Sequence, residues 1–475
     1  MNRIKLAPLA LAALVAAPLA QAAPDLIAVG SISGTYQDLS ATTGTLENGV
    51  AGNRLGGIGS GLTWAGGTTF LAIPDRGPNA VPFDSSLDDT VTYINRFQTF
   101  DLKLAASDAG SALPFVLTPT LRDTTLLSSS TPLVYGDLVG SGVPALNHGR
   151  SFYFTGRSDG FDPSKPSTNP NNARFDTESI RVSNDGKSVF ISDEYGPFVY
   201  QFDRVSGVRV KAFKLPANLA VTNLSAQGAV EISGNTSGRV ANKGMEGLAI
   251  TPDGKTLVGV MQEALIQDGG DAGPYTRLVT IDIKSGTTHE YAYPLTSTGT
   301  NKYVTVSDLV AVNDHQFLMD ERDGKGRGDG SVAKVKQIYL VDISGADDVT
   351  TISGATNLAP HAITNKTLFL DVKLDLVSHG YLTDQIPAKL EGLSFGPDVV
   401  VSGTTEHTLY ISNDNDYLAS VADDNAVTVD NPNQFFVFAF TDADLPGFLL
   451  QPVKALSDDE CSTSDQGGGG GRHIF

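Results

Sequence analysis

From about residue 50 the sequence repeats one unit: an apolar strand, a tight turn rich in Gly, Asn and Asp, and a second β-rich strand ending in acids. The first copy opens at Gly59-Ser60-Gly61-Leu62 and runs from Phe70 to Asp75-Arg76-Gly77. The second joins Glu178-Ser179-Ile180 through the turn Asn184-Asp185-Gly186-Lys187 to Ser192-Asp193-Glu194-Tyr195-Gly196. The third has Glu246-Gly247-Leu248, the turn Pro252-Asp253-Gly254-Lys255 and Met261-Gln262-Glu263. The fourth has Asp308-Leu309, a turn at Asn313-Asp314 and Asp320-Glu321-Arg322-Asp323-Gly324, and the fifth has Glu391-Gly392-Leu393 and Asn413-Asp414-Asn415-Asp416. Natural third strands follow at 96–104, 198–203, 277–283, 337–343 and 434–440. Units of this kind cannot bury their apolar faces alone and must stack on their neighbours. The predicted fold is therefore all-β, a β-propeller with five evident four-stranded blades.

Small residues at Gly61, Ser179, Gly247 and Gly392 suit the crowded axis of such a ring. Leu26 to Ile32 is expected to supply the outer strand of the last blade and close it. Residues 127–177, rich in Pro, Asn and Ser, hold either a sixth blade or a long insertion. No helical periodicity of ordinary length appears, which disfavours nucleotide-binding α/β folds.

The turn of an antiparallel hairpin fixes which residues face one another. Turn 184–187 then sets Glu178 opposite Asp193, and the turn at Asn313 and Asp314 sets Asp308 opposite Asp320. Loop 398–406 pairs Glu391 with Asp414, and turn 252–255 pairs Glu246 with Gln262, with Glu263 one step beyond. The first copy departs, bringing Ser60 near Asp75 and Arg76. Because blades share polarity, these acids, with Glu194 and Glu321, are expected on one face around the axis. Carboxylates that share a site raise one another's pKa. A hard cation with roughly six to eight oxygen ligands relieves them, and Ca²⁺ is the natural candidate. The expected metal ligands are Glu178, Asp193, Glu246, Asp308, Asp320, Glu391 and Asp414; Arg76 and Arg322 are the internal alternative. Single members such as Asp193 and Asp414 also suit plain loop capping.

Composition narrows the partners. Asp and Glu total 53 against 33 Lys and Arg, a formal charge of −20 that argues against nucleic acid and anionic lipid. The single cysteine, Cys461, excludes an internal disulfide and a cysteine metal cluster. Arg3 and Lys5, the apolar run Leu6 to Leu19 and Ala20-Gln21-Ala22 form a signal-peptide pattern with cleavage after Ala22. The expected plan is a signal peptide at 1–22, a propeller domain at 23–445, and an acidic, Gly-rich disordered tail at 446–475. The mature chain is expected to be periplasmic or secreted, without a membrane anchor, and monomeric.

Other signals are weaker. Gly156-Arg157-Ser158-Asp159-Gly160 matches the esterase pattern G-x-S-x-G, but Pro163 and Pro166 deny the helix a nucleophile elbow needs. The same loop carries His148, Arg150, Arg157 and Lys165, a basic set able to bind an anion or simply to be solvated. The seven histidines show no metal-binding spacing.

The segments Ser192-Asp193-Glu194-Tyr195-Gly196-Pro197, Lys243-Gly244-Met245-Glu246-Gly247-Leu248-Ala249, Glu321-Arg322-Asp323-Gly324 and Asn413-Asp414-Asn415-Asp416 occur in an order that resembles the phytase-like family described as having esterase-like activity. The resemblance covers about residue 50 to about residue 440. Where that family shows D-P-E-G, this chain has Asp176-Thr177-Glu178-Ser179, keeping both acids. The diagnostic motifs of the β-propeller alkaline phytases are absent. The resemblance, joined to the acidic face, implies an exported Ca²⁺-dependent hydrolase of phosphate esters acting on a small anionic substrate. Glu194, Glu321 and Arg322 are then the expected catalytic groups, and Arg76, Arg157 and Tyr195 the expected substrate contacts. A carboxylic-ester hydrolase or lactonase on the same metal is one alternative, and a non-catalytic ligand- or protein-binding propeller is another.

Overall fold

The computed structural model describes residues 24–81, 89–135, 142–157 and 169–456. The expected signal peptide, Ser158, Lys165 and the tail from Ser457 with Cys461 lie outside the described residues.

Five antiparallel four-stranded sheets stand in a ring. Blade one comprises Gly61–Trp64, Thr69–Ile73, Arg96–Ala106 and Phe115–Leu126. Blade two comprises Thr177–Val182, Ser188–Asp193, Phe198–Asp203 and Arg209–Phe213. Blade three comprises Met245–Ile250, Thr256–Met261, Tyr275–Asp282 and Thr288–Pro294. Blade four comprises Thr305–Ala311, Gln316–Arg322, Lys336–Asp342 and Lys366–Asp371. Blade five takes Leu390–Val401, Thr404–Asn413 and Asn433–Phe440, and its outer strand is Asp25–Ile32 from the other end of the chain. That pairing closes the ring as the sequence pattern predicted, joining first and last strands so that neither leaves an open edge between blades.

The open question at 127–177 resolves as an insertion. Among the described residues it contributes only the two-residue pair Ser128–Ser129 with Phe152–Tyr153, plus isolated bridges. A stretch so rich in Pro and Asn cannot donate the regular ladder a blade requires. The α-helices of the described residues are short: Gly228–Gly234, Ala355–Leu358 and Val372–Ser378.

Apolar side chains fill the spaces between blades. Leu71, Ile73 and Phe97 of blade one pack with Ile180, Val182, Val189 and Ile191 of blade two. Val258, Val260 and Leu278 of blade three meet Val306, Leu309 and Phe317 of blade four. Each such side chain stabilises the ring by roughly 1.5–3 kcal/mol. At the axis the innermost strands nearly touch. A Cβ on Gly61 would lie 2.7 Å from the Ser179 Cα, and one on Gly247 would lie 2.9 Å from the Asp308 Cα.

The hairpin turns point to the opposite face from the acids. Residues 446–456, expected to belong to a disordered tail, instead cross this turn face. The Leu449 amide donates to Val312 O, Gln451 Nε2 to Val182 O, and the Lys454 amide to Asn184 O. These bonds fasten blade four to blade two and account for the order of the segment.

Candidate functional site

Four innermost strands carry an acid or a serine at one corresponding point, Glu178, Glu246, Ser307 and Glu391, and in blade one Ser60 holds the matching position just before the strand begins at Gly61. In blades two to five the pairing slips there, between Thr177 and Ile180, Met245 and Gly247, Val306 and Leu309, and Leu390 and Gly392. Each slip is a β-bulge, which inserts one residue on one strand and re-aims its side chain. The bulge in blade two sets Asp193 across from Thr177 rather than Glu178. Glu178, Glu246 and Glu391 all reach a central cavity of about 310 Å³. Blade one pairs Gly61 with Ile73 without a slip and contributes Asp75 and Arg76 from the end of its second strand.

Glu178, Glu194 and Glu246 each bring a carboxylate oxygen within 4.8 Å of the others, and all three are buried. Glu178 accepts no hydrogen bond and makes no ion pair at its carboxylate among the described residues. Burial first, then the charges of Glu246, Asp75, Asp176 and Glu194, pushes it well above the usual glutamate range. Glu246 is raised in the same way by burial, Glu194 and Glu391, against the pull of Arg322 and Lys243. It accepts one bond, from Gln262 Nε2 at 2.6 Å. The other Gln262 amide atom, Oε1, is buried without a donor among the described residues. Glu194 accepts from the Gly244 amide at 2.9 Å and lies 3.5 Å from Arg76 Nη1.

The other wall is different. Lys389 Nζ lies 2.7 Å from Asp414 and 2.5 Å from Asp416. Burial pushes Asp414 up, yet Lys389 and the Asp416 amide outweigh it and hold this carboxyl below its usual range. Glu391 accepts from Arg322, whose Nε also donates to Ser307 Oγ at 2.7 Å. Burial carries Glu391 to about 7 against the pull of Arg322 and Lys389. Asp75, Asp414 and Asp416 also converge within 4.8 Å, as do Asp75, Asp176 and Glu178. The first of these sets already holds a lysine, and Asp176 of the second is paired to Arg76 at 2.7 Å. The set formed by Glu178, Glu194 and Glu246 fits a hard cation best: three carboxylates, an unpartnered amide oxygen nearby on the cavity wall, and, as the ion pair seen there among the described residues, Arg76 at 3.5 Å from Glu194.

Of the residues singled out from sequence, Arg76, Glu178, Glu194, Glu246, Arg322 and Glu391 line the cavity. Others do not. Asp193 is a loop cap: its carboxylate accepts the amides of Asp176, Tyr195 and Gly196 at 3.0, 3.1 and 3.1 Å. Asp308 occupies the axial position that is Gly247 or Gly392 in other blades, one residue past the acid position. There it pairs with Arg181 at 2.7 Å and accepts the Ser179 hydroxyl at 2.8 Å, so it locks the axis instead of facing the cavity. Asp320 is buried behind it and burial pushes it well above the usual range. Glu321 points between blades three and four, accepting from Lys366 at 2.6 Å and Tyr293 at 3.0 Å. Asp414 sits beneath the cavity, behind Lys389. Tyr195 is fully buried, with its hydroxyl on Gly156 O at 2.8 Å and Arg174 over its ring. Arg157 lines a separate surface groove, 3.5 Å from Glu47.

Lys243, Lys389, Asn242 and Asp416 line the cavity without having been singled out. A signal existed for two of them: Lys243 and Lys389 stand three and two residues before Glu246 and Glu391, just upstream of the bulge.

Fold and site together define a β-propeller with a carboxylate-walled cavity at the axis of one face. Residues 53–417 match the model of the phytase-like family, described as esterase-like activity of phytase. The chain belongs to this family. It is 31% identical over 281 residues to an uncharacterized secreted protein of Arthroderma benhamiae, a match covering 51% of each chain; the chain thus spans about half the length of that relative. Among solved structures it is similar to the periplasmic gluconolactonase of Pseudomonas aeruginosa, at 12% identity and a TM-score of 0.32 over 88% of this chain and 99% of that one. It is also similar to the hydrazine synthase of Kuenenia stuttgartiensis, at 11% identity and a TM-score of 0.31 over 80% of each.

Proposed function

We propose that the chain is an exported, metal-dependent hydrolase of phosphate esters, with a divalent cation, Ca²⁺ by preference, held by Glu178, Glu194 and Glu246. One observation carries the reading: three buried carboxylates converge within 4.8 Å while Glu178 has no counter-charge or donor of its own among the described residues. Isolated buried charges are too unfavourable to stand unneutralised. Gln262 Oε1 offers a neutral oxygen on the same wall. When bound, such a cation supplies Lewis acidity toward a phosphoryl or acyl oxygen.

The chain's own residues do the rest. Arg76 and Arg322 keep positive charge along the wall, where developing negative charge on the substrate would meet it. Glu391, at about 7, is poised near neutrality to take a proton from an attacking water. Its Oε1 is held by Arg322, so Oε2 is the atom that accepts the proton. The family's esterase-like description supports hydrolysis, and the secreted relative supports export.

The test is a panel of 4-nitrophenyl phosphate, bis(4-nitrophenyl) phosphate and 4-nitrophenyl acetate, each with calcium and with EGTA. Phosphate-ester turnover that disappears in EGTA is the expected result. Turnover of the acetate alone reassigns the site to carboxylic esters, and inertness toward all three contradicts the enzyme reading.

A further inference from the structure

We propose that Lys243 is the substrate-recognising residue: it binds one negatively charged oxygen group beside Glu178, Glu194 and Glu246, so that the cavity takes esters bearing a single negative charge and rejects polyanions. The inference rests on the hydrolase reading above. Four cations line the cavity. Three are committed to the protein itself: Arg76 to Asp176, Arg322 to Glu391, and Lys389 to Asp414 and Asp416. Lys243, half-buried on the wall, makes no side-chain hydrogen bond or ion pair among the described residues. Its charge is felt by Glu246 and Glu263 through space.

The placement of this lysine is built into the loop that carries it. Asn242 adopts a left-handed conformation, φ 54°, and its side-chain oxygen accepts from Arg76. The Gly244 amide donates to Glu194 Oε1 at 2.9 Å. A Cβ at residue 244 would lie 2.0 Å from the Glu194 carbonyl oxygen, so glycine alone permits this approach. The loop is therefore clamped on both flanks of Lys243 by cavity residues, and the ammonium it presents is left for a ligand.

Charge sets the substrate class. Seven carboxylates and four cations line the cavity, a formal excess of three negative charges. One divalent cation reduces that excess to one. A single anionic group is then met by the cation and Lys243 together, whereas a polyphosphorylated molecule brings repulsion that the wall cannot offset.

Titration calorimetry decides it, using dimethyl phosphate as the monoanionic probe and inositol hexakisphosphate as the polyanion. Wild type, Lys243→Met and Lys243→Arg are compared in calcium and in metal-free buffer, with calcium itself titrated into each. Wild type should bind dimethyl phosphate at least about tenfold more tightly than Lys243→Met. Lys243→Arg should restore most of that affinity, calcium should bind Lys243→Met at least as tightly as wild type, and the hexakisphosphate should bind wild type more weakly than the monoanion. Equal affinity of wild type and Lys243→Met for dimethyl phosphate, tighter binding of the polyanion, or no probe binding by wild type in either buffer overturns the proposal. Absence of calcium binding to wild type sinks the metal reading instead, and Lys243 is then judged from the metal-free titrations alone.

Discussion

The two sides of the central cavity use one device and end in opposite electrostatic states. On both, a bulge in an innermost strand turns a glutamate inward: Glu178 and Glu246 on one side, Glu391 on the other. On the Glu391 side the protein supplies its own cations, Arg322 and Lys389, each bonded to buried acids. On the Glu178 side the carboxylates face one another, with Arg76 at 3.5 Å from Glu194 and Lys243 acting on Glu246 through space without an ion pair of its own among the described residues. A closed side of this kind stabilises the fold, and an uncompensated one leaves room for a ligand of opposite charge. The difference separates structural acids from candidate metal ligands more sharply than their sequence positions do.

The largest effect should come from making the closed side resemble the open one. Lys389→Met leaves the buried Asp414 and the half-buried Asp416 without their cation, a loss of about 3 kcal/mol in urea unfolding. The same change should create a second calcium site at Asp75, Asp414 and Asp416, raising the stoichiometry in a calcium titration. Unchanged stability and stoichiometry would break the comparison.

A smaller effect concerns pH. In the metal-free chain burial holds Asp176 and Glu391 at about 7, above the ordinary 3.8 and 4.5. The folded state then binds more protons than the unfolded one between roughly pH 4 and pH 7, so stability falls as pH rises through that window. Metal-free protein should melt at a higher temperature at pH 5 than at pH 7.5, a difference on the order of 2 kcal/mol. Saturating calcium at pH 7.5 should remove most of the gap.

The smallest effect is expected at Asp193. Asp193→Asn weakens a cap on three backbone amides and should lower stability by about 1 kcal/mol. Calcium affinity should not change, which a titration of the variant checks.

Asp193 also shows where sequence reasoning stops. Strand positions were legible because turn residues and apolar alternation are local: the predicted third strand 198–203 is the observed Phe198–Asp203, and Leu26 to Ile32 closes the ring. In blades two and three the register read from the turn holds up to the bulge and is one residue off beyond it, because an extra residue inserted upstream leaves no mark in the turn; in blade five the expected loop 398–406 is itself paired strand, with a second bulge between Gly396 and Val399. Asp308 carried a readable warning. Aligning Leu309 with Leu248 and Leu393 puts Asp308 in the glycine column and Ser307 in the acid column, which predicts an axial lock. Tyr195 and Glu321 were not legible at all. Their side chains are claimed by Gly156 and Lys366, partners 39 and 45 residues away that only the closed ring brings near.

Glu178, without a counter-charge among the described residues, is the proposed calcium ligand on which the metal site most depends. Calcium titration and thermal melting of wild type and Glu178→Gln, each with calcium and with EGTA, test it most directly. Wild type should gain about 2.7 kcal/mol at a hundredfold excess of calcium over its Kd. Glu178→Gln should lose at least about tenfold in calcium affinity. It should also be at least as stable as wild type in EGTA, because one like-charge repulsion is gone. Melting of wild type that ignores EGTA, together with equal calcium affinity in the two proteins, would contradict the account.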